Sequence, residues 1–395
     1  MRWGWQTILT CVGLLVACGG TPEPDGSDSG DDDGSAEPDN DGASDDGQGG
    51  GALADCGDRS PDGQKVSGTI DEETSWSGRI YLEGTVVVSG GTVVLEPGTR
   101  VIAAPGSELI IGTGSAIFSN GTAASPVSFC GQSEKAGFWK GISLSGDARQ
   151  SSQLSHTLVA DAGADKAALR LDSATLVDHV SVIDSGADGV HASAFAEGSS
   201  SLTVTRSAGA PVAITHAAAV SYFPRGGDLT GNGADIVPLR FARAEIDMKF
   251  EDLGLPYVQE GDLEIAAGNV EFSAGITYRL AEGVGIVVHG RLRVLGTASK
   301  PVVLTSETDL DYGSIRIAED ADENTSFEHA AFAGGDVCLT LERPVQVADT
   351  SFDACATAGL LSSTAGAYSQ SSYEILFSNL GFGETAPNGA DKVFE

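Results

Sequence analysis

The sequence predicts an all-β chain built from two related blocks. Three observations carry that expectation. From about residue 66 onward, runs of four to seven residues rich in Val, Ile, Thr and Leu alternate with Gly, Asn, Asp and Ser, the composition of short strands between tight turns. No long window has the 3.6-residue period of an amphipathic helix. Three separated phrases recur at a nearly constant distance: Tyr81 returns as Tyr257, Gly121-Thr-Ala-Ala-Ser-Pro-Val127 as Gly296-Thr-Ala-Ser-Lys-Pro-Val302, and Leu154-Ser-His156 as Phe327-Glu-His329, at offsets of 176, 175 and 173 residues. A steady offset over three anchors marks internal duplication. A pair of immunoglobulin-like sandwiches would also supply short strands, but it would repeat at about 100 residues.

The chain opens with one positive charge, Arg2, followed by an apolar stretch from Thr7 to Ala17. At roughly ten residues it is half of the ~20 a membrane-spanning helix needs, and it has the form of a secretory signal. Leu15-Val16-Ala17-Cys18 resembles the bacterial lipobox. The resemblance implies cleavage after residue 17, acylation of Cys18 and anchoring to a membrane by lipid. Gly19, rather than Asp, is similar to the pattern sent to the outer membrane, and display at the cell surface is one expected outcome. Residues 18–51 then read as a tether. Eleven of the chain's 56 acidic residues, and no Lys or Arg, lie between Thr21 and Gly51 among Gly, Ser and Pro. Such a segment buries nothing and repels itself. Its Asp-rich run at 25–34 lacks the fixed spacing and closing Glu of a calcium loop. The whole chain carries a net charge of −34, which argues against nucleic acid and anionic lipid surfaces as partners.

Residues 52–80 are expected to cap one end, 66–224 to form the first block, 225–250 to be a loop between blocks, and 251–395 to form the second. Each block begins with an extended Tyr segment. The first continues through Val-Val-Val-Ser-Gly-Gly-Thr-Val-Val-Leu-Glu-Pro-Gly-Thr (86–99), Gly-Ser-Glu-Leu-Ile-Ile (106–111), the Gly-Thr…Pro-Val phrase, the turn Phe138-Trp139-Lys140-Gly141-Ile142 and Leu-Ser-His. This order resembles the right-handed parallel β-helix proteins of the pectin-lyase-like superfamily, and more closely their uncharacterised secreted bacterial lipoprotein members. The resemblance covers most of 66–395. It implies a solenoid whose turns each add a short strand to three parallel sheets, with like residues stacked inside. At about twenty residues per turn, roughly 15 turns would make a rod on the order of 70 Å long. Its ends need capping, because terminal strands expose unpaired backbone.

Cys11 leaves with the signal and Cys18 takes lipid, so Cys56, Cys130, Cys338 and Cys355 remain for an oxidising compartment. Four thiols allow three pairings. Cys338–Cys355, one turn apart, is favoured, and Cys56–Cys130 would then pin the N-terminal cap. There is no Cys-x-x-Cys, and neither a zinc nor a redox site is expected.

Members of the superfamily that cleave acidic polysaccharides hold calcium with acidic residues on one sheet, beside an Arg or Lys base, or use a close set of Asp with a His. Their motifs are missing here: no Asn-Thr-Asp is followed by Gly-Asp-Asp and Arg-x-Lys. The nearest cluster is Asp161, Asp165, Asp172, Asp178, His179, Asp184, Asp188 and His191. Asp165, Asp184 and Asp188 are spaced to meet on adjacent turns, as a ligand face with room for weak Ca2+ binding; no catalytic set and no other cofactor are expected. The competing account is that they satisfy their own turns. His156 and His329 occupy matching places, which favours a packing ladder over catalysis. His216 and His289, inside apolar segments, read as wall positions. Of the two Trp beyond the signal, Trp139 reads as structural. No Gly-x-Ser-x-Gly elbow or phosphate loop occurs. The expectation is a non-enzymatic, lipid-anchored display rod for adhesion or recognition, with polysaccharide or an envelope protein as partner. A polysaccharide lyase or hydrolase, or a structural part of an envelope complex, are the alternatives.

Overall fold

The structure, a computed structural model, describes residues 56–149 and 151–362, together with 377–378, 380–382 and 390–394. The signal segment, Cys18 and the tether lie outside the described residues. The chain is all-β, with about 1% helix, and winds into a parallel β-solenoid of about 13 turns, consistent with the pectin-lyase-like kind.

The turns lay their strands on three faces, with long strands such as Arg79–Val88 and Gln153–Ala160 bending across two of them, and every pairing between named strands is parallel. The pattern of the strands dictates this. Alternate residues of Arg79–Val88, such as Ile80, Leu82, Val86 and Val88, are fully buried. The same position one turn later is again apolar, so inward side chains stack on their own kind. On one face the inward ladder runs Val88, Ile111, Leu144, Leu171, Ala192, Ile214, Leu239, Gln259, Leu280 without a break. Fully burying one such aliphatic side chain contributes roughly 1.5–3 kcal/mol. The polar member, Gln259, is satisfied inside: its amide donates to Phe241 O (3.0 Å) and Gly261 O (2.7 Å), and Tyr278 OH donates to its Oε1 at 2.9 Å.

Turns longer than the expected twenty residues account for the smaller number of turns. Glu108 pairs with Gly141, 33 residues on, and Phe118 with Gln153, 35 residues on. The Phe138–Ile142 turn lies in this stretch. Trp139 is fully buried there and donates from Nε1 to Ala160 O at 2.8 Å. Both disulfides have the expected pairing, Cys56–Cys130 and Cys338–Cys355. The latter ties adjacent turns inside the rod.

Two features differ from the sequence-based expectation. Residues 225–250, expected as a loop, form a turn of the solenoid. Val204 N donates to Asp228 O (2.7 Å) and Arg206 N to Gly231 O (3.1 Å), extending one face. Val237–Leu239, Arg243–Ala244 and Met248–Phe250 then supply the three strands of the next turn. The glycines that suggested a loop serve close approach instead: a Cβ on Gly227 or Gly233 would lie 2.1 or 2.0 Å from a carbonyl oxygen of the preceding turn. The second difference concerns the duplication. Tyr81 stacks with Ile102, Cys130, Ala160 and Ile183, whereas the ladder of Tyr257 leads back through Val237 to the Val212–Ile214 strand and so to the neighbouring face. The two blocks are therefore related by a shift of one face around the rod as well as by translation along it.

The corner linking the repeated phrases is the same in both blocks. His156 and His329 have positive φ (40° and 47°). The carbonyl oxygen of each lies where a Cβ on Gly121 or Gly296 would come within 2.3 or 2.2 Å. The recurring Gly-Thr…Pro-Val and x-x-His phrases are thus two sides of one contact.

Candidate functional site

Three charged clusters stand on the outside of the rod, built mainly on the first block. The first is a cleft at the N-terminal strap. Outward-pointing Ile102, Cys130, Leu158 and Ala160, flanked by Tyr81 and Ile183, form a small second core beneath Cys56. The Cys56–Cys130 bond fastens the strap there. Arg59 holds it again, donating from Nη1 to Gly131 O (2.7 Å) and to the Asp161 carboxylate, with Glu134 3.5 Å from its Nε. Beside this lies an open cleft of about 400 Å³, lined by Cys56, Arg59, Glu134, Ala136, Asp161, Ile183, Asp184 and Arg206. Burial pushes the Asp161 carboxyl up from its ordinary value, against the opposing pull of Arg59. Asp161, Asp184 and Arg206 follow one another at the same corner of successive turns, all with positive φ (63°, 55° and 57°). Arg206 grips Asp184 with two bonds of 2.8 Å.

The second cluster lies on the next face around Asp188. Its Oδ1 accepts from Ala210 N at 2.9 Å, and its Oδ2 meets His191 Nε2 at 2.8 Å and Arg240 Nη1 at 3.1 Å. Arg240 continues to Glu260 through Nε at 3.0 Å. Burial would raise the Asp188 carboxyl, but these donors outweigh it and hold it down at about 2. Such a group stays ionised at neutral pH and is a poor proton donor.

The third cluster is at the corner bearing His156. Its ring stacks on that of His179 one turn later, with centroids 4.6 Å apart. Asp178 stands beside them, and among the described residues this trio is a group able to converge three ligating side chains on one ion.

The acids expected to share one ligand face are instead dispersed. Asp184 belongs to the strap cleft and Asp188 to the next face, while Asp165 is exposed, with Lys140 Nζ 3.5 Å from its Oδ2. Each has its own cationic partner. Asp161 and Asp184, 23 residues apart, sit at the same corner of successive turns, and Asp178 and His179 are neighbours at the other. His216 is exposed, and half-exposed His289 meets Asp320 at 2.6 Å, so neither is an inward wall residue. Arg59 and Arg240 were not foreseen. The 22-residue step from Asp184 to Arg206 could have been read as one turn, but Arg59 and Arg240 reach their partners from an end segment and from a turn two removed, with no periodic signal.

No family model, no curated protein and no solved structure matches the chain.

Proposed function

We propose that the protein is a non-enzymatic recognition rod, held to the outer membrane through lipid on Cys18 and carried on the acidic tether. The observation that carries this reading is the pairing of the charged outer residues. Asp165, Asp184 and Asp188 are each engaged by Lys140, Arg206 or Arg240, and raised-pKa Asp161 is engaged by Arg59. Paired charges on rigid strands and corners offer fixed hydrogen-bonding positions to a polar partner. Polysaccharide, or a protein of the envelope, is the partner class this surface suits.

A second reading, a polysaccharide lyase or hydrolase, draws on the convergence of Asp188, His191 and Arg240 on one face. One experiment separates the two. The purified chain, with disulfides formed, is incubated with acidic and neutral polysaccharides with and without calcium, and binding, new reducing ends and unsaturated products are followed together. Binding without cleavage supports the recognition rod; cleavage abolished by Asp188→Asn and Arg240→Ala supports the enzyme. Neither binding nor cleavage overturns the enzyme and polysaccharide recognition alike and directs crosslinking toward a protein of the envelope. For the anchor, Cys18→Ser should move the protein out of the membrane fraction and abolish labelling by a fatty acid.

A further inference from the structure

We propose that His156, Asp178 and His179 form a binding site for a borderline divalent cation, with zinc the preferred occupant. Nothing in this assignment rests on the recognition reading. One ligand atom from each of the three side chains lies within 4.8 Å of the other two. Zinc held at about 2.0–2.2 Å by nitrogen and oxygen needs its donors roughly 3.3 Å apart in a tetrahedral shell. The remaining closure is a matter of side-chain rotation, and all three are at least partly exposed.

The backbone brings the trio together. His156 and His179 occupy the same corner of successive turns, both in the left-handed region (φ 40° and 53°), with rings nearly parallel at 19°. Stacked parallel strands space such residues about 4.8 Å apart, so a pair of imidazoles one turn apart is already gathered before any metal arrives. Asp178 is positioned from two sides: Ser200 Oγ donates to its Oδ1 at 2.8 Å, and His179 Nδ1 lies 2.7 Å from the same oxygen. An outer hydroxyl that fixes a ligating carboxylate is the usual support of a metal site.

The donor chemistry selects the ion. Two imidazoles and one carboxylate suit zinc and its neighbours, whereas calcium and magnesium want oxygen throughout. Three protein donors leave a position for water or for a group on a bound partner. The corresponding corner of the second block makes the contrast. His329 is retained, but the next turn supplies Asp349 instead of a second histidine, at 3.9 Å, and the place of Asp178 is taken by Ala348.

The test uses the full chain without a polyhistidine tag, titrated with zinc sulfate in excess calcium so that the tether's carboxylates do not contribute. Histidine at positive φ is replaced by Asn, which tolerates that conformation. The expected result is one equivalent of zinc, weakened at least about tenfold by His156→Asn, His179→Asn or Asp178→Asn, and unchanged by His329→Asn. As a readout independent of any variant, the ring resonances of His156 and His179 should shift with zinc while those of His216 and His289 stay. Absence of saturable binding, binding that survives both histidine substitutions, equal loss in His329→Asn, or ring shifts elsewhere would each overturn the assignment.

Discussion

Removing the charge of Asp188 should cost stability at neutral pH and almost nothing in strong acid. The Asp188 side chain is 15% exposed and accepts from Ala210 N and Arg240, with His191 against the same carboxylate. Its carboxyl is held at about 2, against an ordinary 3.8. At 1.36 kcal/mol per pH unit that displacement corresponds to roughly 2.5 kcal/mol; allowing for screening at a partly open site, about 1–2 kcal/mol is a sounder expectation. Because the folded-state value lies below the unfolded one, this stabilisation is complete above about pH 4 and is lost as pH falls through about 2. Asp188→Asn keeps the shape and removes the charge. Thermal melts of the two proteins at pH 7 should differ by a few degrees, and the gap should close progressively between pH 4 and 2. A gap of equal size at pH 7 and pH 2 would refute the electrostatic account and point to lost packing alone.

Gly141→Ala should be far more damaging than Gly106→Ala. Both glycines have positive φ (111° and 65°), but a Cβ at 141 would lie 2.1 Å from Ala168 O, whereas at 106 it meets nothing within 4 Å; soluble yield and melting should show a loss above about 3 kcal/mol for the first and about 1–2 for the second. Replacing Cys56 and Cys130 together by Ser should free the strap more than it weakens the rod, since residue 56 precedes the first strand of the solenoid. Trypsin should then cut at Arg59 at least about tenfold faster with only a modest fall in melting temperature, and an unchanged cutting rate would show that Arg59 and Asp161 suffice to hold it. Phe332→Ala removes a ring stacked on Phe352 (5.0 Å) and packed against Phe327 (5.7 Å), and denaturant unfolding should register about 3–5 kcal/mol.

The parts of the fold legible in the sequence were those enforced by repetition. A solenoid places residue i and its successor one turn later in contact, so Val stacks on Val and a corner Gly faces a corner His again and again. That is why the Gly121 and His156 phrases return together as Gly296 and His329. It is also why the pairing of Cys338 with Cys355 could be read from a spacing of 17 residues. What repetition does not enforce was not legible. The shift of the second block by one face changes no local contact, since each corner is rebuilt intact on the neighbouring face. Glycines at 227 and 233 look like loop residues because the letter is the same whether glycine is chosen for freedom or for lack of a side chain. Asp165, Asp184 and Asp188 were dispersed because a spacing near one turn does not say on which side of a corner a residue falls, and three residues separate a corner (Asp184) from the next strand (Asp188).

The corners also explain why the candidate sites lie where they do. A parallel solenoid must turn sharply between faces, and the left-handed conformation that does this costs an ordinary residue about 1–2 kcal/mol but costs glycine little. Much of the rod accordingly uses glycine. Nine non-glycine residues among those described accept the conformation, and six of them form two vertical stacks: His156, His179 and Ser201 at one corner, Asp161, Asp184 and Arg206 at another. Those stacks contain both histidines of the metal trio and three charged residues lining the strap cleft. Glycine would relieve the backbone at each position and would remove the side chain that gives the surface its chemistry. Strain retained in adjacent turns, at the residues that supply ligands and charges, is what a surface kept for binding would show. Among the described residues, the matching corner of the second block has His329 and Asp349 in the same conformation.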